Sequence, residues 1–125
     1  MSIPKNVMYT KSHEWVETVD ENTVRIGLTE FAAQELGDLV FINLPDVGDD
    51  ATVGESLCDV ESVKAVSDVF SPVTGTVKAI NEELEDSPEK INEDSFGTWI
   101  AEIENVTDKE ELLTAEEYEK LVEEA

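Results

Sequence analysis

Two strand-like runs, Ser56-Leu57-Cys58-Asp59-Val60-Glu61 and Ala65-Val66-Ser67-Asp68-Val69-Phe70, are separated only by Ser62, Val63 and Lys64. A gap that short forces a tight hairpin and sets Lys64 at its tip. A lysine there holds its amine in solvent on a flexible four-carbon stem. The chemistry open to it is covalent carriage, in which a group attached to the amine travels beyond the surface of its own domain. Taken by itself, a hairpin lysine is an ordinary solubilising charge. Other reactive types are scarce. His13 is the only histidine, and a lone histidine is ordinarily structural. Cys58 is the only cysteine, so no internal disulfide forms, and its apolar neighbours make it a small packing group. The acidic pairs Glu82-Glu83 and Glu110-Glu111 lack the spacing of a calcium loop, and no metal is assigned. The residues supply no nucleophile–base pair and no cofactor loop.

The elements that must position Lys64 are mostly strands. Trp15-Val16-Glu17-Thr18-Val19 and Thr23-Val24-Arg25-Ile26-Gly27-Leu28 alternate about the turn Asp20-Glu21-Asn22 and predict a hairpin. Thr29 is a helix cap, residues 30–36 a short helix, and Gly37 its stop. The apolar run Leu39-Val40-Phe41-Ile42-Asn43-Leu44 before Pro45 suits a strand buried on both faces. Ser71-Pro72 ends the strand after Lys64, and Val73-Thr74-Gly75-Thr76-Val77-Lys78-Ala79-Ile80 supplies another. Ser87-Pro88-Glu89 reads as a cap with proline at the first helical position. Residues 98–103 read as a last strand carrying Trp99 and Ile100. Thr107 with Glu110, and Thr114 with Glu117, have capping-box spacing and predict two C-terminal helix starts. Leu112, Tyr118, Leu121 and Val122 would form the apolar face of the second. The fold class expected is mostly β with short helices and a C-terminal helix packed outside.

Composition narrows the partners. The 125 residues suffice for one domain. Asp and Glu number 31 against 8 Lys and Arg, a formal charge of -23, and no basic cluster exists to meet nucleic acid or an anionic membrane. Such acidity is a solvated surface, and it also suits a high-salt environment, where screening relieves self-repulsion. The first residues, Met1-Ser2-Ile3-Pro4-Lys5, lack the apolar run of a signal peptide, and no stretch has the length of a membrane span. A cytoplasmic monomer is expected.

Gly48-Asp49, Val53-Gly54-Glu55, Glu61-Ser62-Val63-Lys64-Ala65 and Ser71-Pro72-Val73-Thr74-Gly75-Thr76-Val77 together resemble the biotinyl and lipoyl domains. In those domains a Gly-Asp turn precedes the modified lysine and a Pro-x-x-Gly-x-Val element follows it. Biotin carriers carry methionine on both sides of the lysine, so Val63 and Ala65 favour lipoate. Tyr9-Thr10-Lys11-Ser12-His13-Glu14-Trp15-Val16, Ile26-Gly27-Leu28-Thr29-Glu30-Phe31-Ala32 and Leu36-Gly37-Asp38-Leu39-Val40-Phe41-Ile42-Asn43-Leu44-Pro45 resemble the glycine cleavage H-protein family. So do Asn81-Glu82-Glu83-Leu84-Glu85-Asp86-Ser87-Pro88 and the Tyr118 tail, in consistent order over nearly the whole chain.

The resemblance implies a flattened barrel or sandwich of two antiparallel sheets. It implies one lipoyl-bearing domain over residues 1–125, its core about 23–104 and its C-terminal helices about 108–124. It further implies lipoate joined to Lys64 by an amide, with Glu61, Ser62, Val63, Ala65 and Gly75 as the features read by a lipoate-attaching enzyme. The other implied partners are the P-protein (glycine decarboxylase), which loads an aminomethyl group, the T-protein (aminomethyltransferase), which passes its carbon to tetrahydrofolate, and the L-protein (dihydrolipoyl dehydrogenase), which reoxidises the arm. The carrier itself would catalyse nothing. Ser12, Glu14 and Asp68 are implied as the groups that dock the loaded arm. One departure stands out: the family carries a proline, an aromatic residue and two glycines before the tryptophan, whereas this chain has Ser95-Phe96-Gly97-Thr98-Trp99. The geometry of that loop does not carry over. A lipoyl or biotinyl carrier for another complex, a lipoate relay, an enzyme with its own site, and an acidic interaction module remain as alternatives.

Overall fold

Alternation of apolar and polar side chains builds the first hairpin. Strands β2 (Glu14–Asp20) and β3 (Thr23–Leu28) pair antiparallel, and the Asn22 N–H donates to Asp20 Oδ1 at 2.9 Å in the turn. The computed structural model describes residues 3–124. The remaining strands are β1 (Met8–Tyr9), β4 (Leu39–Asn43), β5 (Asp50–Ala51), β6 (Ser56–Ser62), β7 (Val66–Phe70), β8 (Val73–Ile80) and β9 (Ala101–Lys109). They form a six-stranded sheet ordered β1-β2-β3-β9-β8-β5 and a three-stranded sheet ordered β4-β6-β7. Every pairing is antiparallel. Val24, Ile26 and Leu28 of β3, Val60 of β6, Val69 of β7 and Ile103 of β9 share one buried cluster, so the two sheets pack together over a common core. Both sheets end in edge strands, so of the expected flattened barrel or sandwich of two antiparallel sheets the fold is the open sandwich.

Local chemistry sets the helices. In α1 (Glu30–Leu36) the Thr29 hydroxyl accepts the Ala32 N–H at 3.2 Å, and Gly37 closes the helix at φ 84°, a conformation that favours glycine. Two one-turn helices, α2 (Glu83–Asp86) and α3 (Lys90–Glu93), follow β8. Helix α4 (Ala115–Glu123) starts with the predicted capping box, Thr114 with Glu117. It packs in a second cluster with Tyr9, Trp15 and Tyr118, where the Tyr9 and Tyr118 rings stack at 4.6 Å and 8°.

Four expectations are corrected. Thr107 starts no helix: β9 runs on to Lys109, with Thr74 opposite Asp108 and Val73 opposite Lys109, so C-terminal helix begins only at Ala115 rather than near 108. Strand β4 is not buried on both faces, because Val40 and Phe41 are 55% and 48% exposed around an irregularity between Leu39 and Phe41. Ser87 caps no helix and instead closes α2, while Glu89 precedes α3. Trp99 and Ile100 lie just before β9, although the Ile100 N–H still donates to the Ile26 carbonyl at 2.7 Å. In the divergent loop, residues Ser95–Gly97 form a 3-10 turn, and the Asp94 side chain accepts the Gly97 N–H. The Trp15 indole N–H donates to the Ser95 carbonyl at 3.0 Å, which ties that turn to β2.

Candidate functional site

The hairpin between β6 and β7 is braced by a single hydroxyl. Ser62 N–H donates to the Ala65 carbonyl at 2.8 Å, while Ser62 Oγ accepts from Lys64 N–H at 3.3 Å and Ala65 N–H at 3.1 Å. The Val63 N–H reaches outside the hairpin to the Asp38 carbonyl at 3.1 Å, which pins the tip to the segment leaving α1. Lys64 is exposed and makes none of the ion pairs found among the described residues. Its aliphatic stem passes close to Gly37, where an added Cβ would lie 3.5 Å from Lys64 Cε. Val63 and Val66 flank it at 70% and 67% exposure. Register places Phe41, Glu61 and Val66 in one row across the small sheet, so their side chains share its outer face.

Beside this tip lies a cleft of about 150 Å³, lined by Ser12, His13, Leu28, Ala32, Glu35, Leu36, Val60, Ser67 and Asp68. Its walls are mostly apolar at the α1 side and polar at the side formed by residues 12, 67 and 68. Glu14 stands behind this polar end. It is 1% exposed, and its Oε1 accepts from Thr10 Oγ1 and Ser12 Oγ, each at 2.6 Å. Its Oε2 is buried without a hydrogen-bond partner among the described residues. Burial pushes the Glu14 carboxyl up to about 7, against the pull of the Ser12 and Thr10 hydroxyls and the Phe70 backbone. An uncompensated buried oxygen of this kind suits a cation delivered from outside.

The sequence-predicted residues do not all converge. Ser12 and Asp68 line the cleft, and Glu14 contacts it through Ser12. Asp68 Oδ1 also accepts from Ser56 Oγ at 3.1 Å. Glu61, Ser62, Val63 and Ala65 surround Lys64 in the hairpin. Gly75 does not: it lies in β8 of the other sheet, where a Cβ would collide with the Glu104 carbonyl, and it serves packing of β8 on β9. Sequence reading missed Ser67 and the cleft-facing place of His13. Ser67 pairs with buried Val60, so its inward direction follows from register once β6 and β7 are aligned. Cys58 is buried, and its thiol is pushed up to about 12 by desolvation and by the nearby carboxylates of Asp59, Glu14 and Asp68, so it stays protonated and inert.

An open two-sheet sandwich that presents one lysine on a rigid hairpin beside a small cleft defines the class of swinging-arm carrier domains. The model of the family "Glycine cleavage H-protein" matches residues 7–125. The glycine cleavage system H protein of Lachnoclostridium phytofermentans is 57% identical over 122 residues, covering 98% of this chain and 96% of that protein. The probable glycine cleavage system H protein of Pyrococcus horikoshii is 50% identical over 119 residues, covering 93% and 89%. The crystal structure of a glycine cleavage system H protein from Mycobacterium marinum superposes with a TM-score of 0.89 at 40% identity, covering 94% of this chain and 97% of that one. The chain belongs to the glycine cleavage H-protein family.

Proposed function

We propose that this chain is the lipoyl carrier of a glycine cleavage system, with lipoate joined by an amide to Lys64 Nζ. The observation that carries the reading is the exposed Lys64, without an ion pair among the described residues, on a hydroxyl-braced tip whose stem runs past Gly37, next to Leu36 of the cleft wall. When bound, lipoate supplies a disulfide that takes up the one-carbon amine and its electrons. The chain's own residues attach, present and shelter. Glu61, Ser62, Val63 and Ala65 give the lipoate-attaching enzyme a fixed shape to read, with the apolar side chains of Val63 and Val66 on either side of the lysine. Amide formation removes the charge of Lys64.

Ser12 and, behind it, Glu14 receive the amine cargo through charge-assisted hydrogen bonds, with the exposed Asp68 at the rim of the cleft. The apolar wall of Leu28, Ala32, Leu36 and Val60 keeps water from the carbon that carries it. Sheltering matters because hydrolysis adds one water, breaks the carbon–sulfur and carbon–nitrogen bonds, and releases formaldehyde and ammonia. The chain acts as one carrier domain with no catalysis of its own, and is substrate in turn to the P-protein, T-protein and L-protein. Its single buried cysteine suits a reducing compartment such as the cytoplasm.

Intact mass before and after treatment with a lipoate ligase, for wild type and Lys64→Arg, tests the attachment. The wild type should gain one lipoyl group, the variant none, and the variant should support no glycine cleavage with the P-, T- and L-proteins. Full glycine cleavage by Lys64→Arg overturns the reading.

A further inference from the structure

Residues 10–13 join β1 to β2, and the last of them is strained. His13 has φ 71°, one of only two non-glycine residues with positive φ among the described residues. Left-handed backbone at a non-glycine residue persists only where its surroundings hold it, and such residues cluster at functional sites. His13 is held on every side. Its N–H donates to the Thr10 carbonyl at 3.2 Å and its carbonyl accepts the Thr29 N–H at 3.1 Å. Its ring lies 4.7 Å from Phe31 of α1, and its Nδ1 is 2.9 Å from Tyr118 Oη of α4.

The direction of that last bond follows from its neighbours. Thr29 is fully buried, and its Oγ1 already accepts the Ala32 N–H. Among the described residues its hydroxyl proton has one acceptor, Tyr118 Oη at 2.7 Å. Tyr118 therefore donates onward to His13 Nδ1, and the histidine is neutral with its proton on Nε2. A proton on Nδ1 would set two donors face to face, strand the Thr29 hydroxyl, or leave the buried Tyr118 proton without an acceptor among the described residues. Desolvation works in the same direction, holding the imidazole below its ordinary range against the opposing charge of Glu35.

On either side of His13 sit Ser12 and Glu14. The left-handed residue between them closes residues 10–14 into a turn, with the His13 N–H on the Thr10 carbonyl and the Thr10 N–H on the Glu14 carbonyl, and inside that turn Ser12 Oγ bonds Glu14 Oε1 at 2.6 Å. We propose that His13 is the positioning residue of the cleft: clamped by Tyr118 of the C-terminal helix, it turns Ser12 onto Glu14 and offers an uncharged wall to a cationic cargo. This rests on the docking role given above to Ser12, Glu14 and Asp68. The groups facing His13 are Glu35 from α1, Tyr118 from α4, Asp68 from β7 across the cleft, and Glu14 of β2. Those acting on Glu14 are Ser12 and Thr10 of its own turn, Phe70 of β7, Cys58 of β6, Tyr118 of α4, and Glu110 ahead of it.

The test begins with the full-length, unlipoylated protein. Carboxyl carbon NMR follows Glu14, and imidazole nitrogen NMR reads the tautomer of His13. The wild type should show the Nε2–H form and a Glu14 midpoint near 7. Tyr118→Phe keeps the ring stack but removes the donor; His13→Ala removes ring and donor partner and disfavours the left-handed backbone. In both, water should reach Glu14 Oε2 and lower its midpoint by about one unit, a tenfold change in proton affinity. His13→Asn tolerates the left-handed backbone and offers Oδ1 to Tyr118, so it should restore the wild-type midpoint. In the lipoylated, amine-loaded protein, Tyr118→Phe and His13→Ala should lose ammonia several-fold faster, and His13→Asn should not.

Unchanged Glu14 midpoints and unchanged ammonia loss in Tyr118→Phe and His13→Ala overturn the positioning role. An Nδ1–H tautomer in the wild type does so as well. Glu14→Ala separates the two levels. If it loses ammonia no faster than wild type, the docking role fails and the NMR titration alone decides His13. If it loses ammonia faster while Tyr118→Phe and His13→Ala match wild type, docking stands and positioning falls.

Discussion

Replacing Glu14 by glutamine should remove most of one specific pH dependence of stability. The carboxyl is 1% exposed with one oxygen unpartnered among the described residues, and burial lifts it from 4.5 to about 7 in the folded chain. Between those two values the folded protein holds a proton that the unfolded chain has released. Stability contributed by the protonated group is therefore fully present below the unfolded value and is lost as pH rises through the folded one. A gap of about 2.5 units at 1.36 kcal/mol each gives about 3 kcal/mol. Glutamine keeps an oxygen that accepts from Thr10 and Ser12 and does not ionise. Its buried amide nitrogen costs about 1–3 kcal/mol, equally at every pH. The unfolding free energy of Glu14→Gln minus that of wild type should thus grow by about 3 kcal/mol from about pH 4 to about pH 8.5. Urea unfolding followed by tryptophan fluorescence, in molar KCl to damp the other carboxylates, measures it, provided the slope against urea is equal in the two proteins. A difference that stays constant across that range refutes the claim that burial governs Glu14.

Three other outcomes are expected. Ser62→Ala removes the hydroxyl that accepts from Lys64 and Ala65, and should slow lipoylation in a ligase assay while changing global stability by less than about 1 kcal/mol, since the hairpin tip is exposed. Gly75→Ala forces a Cβ against the Glu104 carbonyl and should cost about 1–3 kcal/mol in chemical denaturation, with lipoylation of the folded fraction unchanged. With a net charge of -23, the melting temperature should rise from dilute buffer to molar KCl, where the Debye length falls to about 3 Å; a flat response would remove self-repulsion as a destabilising factor.

Local signals were the legible ones. Thr29 and Gly37 bound α1 where the sequence puts its ends, because a cap and a positive-φ stop act within one turn of chain. The Lys64 hairpin is equally local, since strand spacing alone sets its tip. Signals that depend on distant partners misled. Thr107 and Glu110 have the spacing of a capping box, but pairing of β9 with β8 claims those backbone groups for a strand. The run from Leu39 to Leu44 is apolar but for Asn43, yet it forms an edge strand of the small sheet and Val40 and Phe41 are exposed. Within the site, Ser12, Glu14 and Asp68 were named through resemblance rather than physics. The clamp on His13 was invisible for a plain reason: Tyr118 lies 105 residues away, and nothing along the chain marks the two as partners.

The hydrogen bond from Val63 to the Asp38 carbonyl joins the lysine hairpin to the chain that has just left α1, and Leu36 at the end of that helix lines the cleft. With lipoate on Lys64 and the cleft as its dock, as proposed, pivot and receptor are parts of one rigid body. A short flexible tether between two such points gives an effective concentration in the millimolar range. An intrinsic affinity of about that size, modest for an amine meeting a carboxylate, leaves the arm divided between sheltered and free states. Release to a partner enzyme then requires only that the partner compete for the free fraction, and the carrier body need not change shape at all.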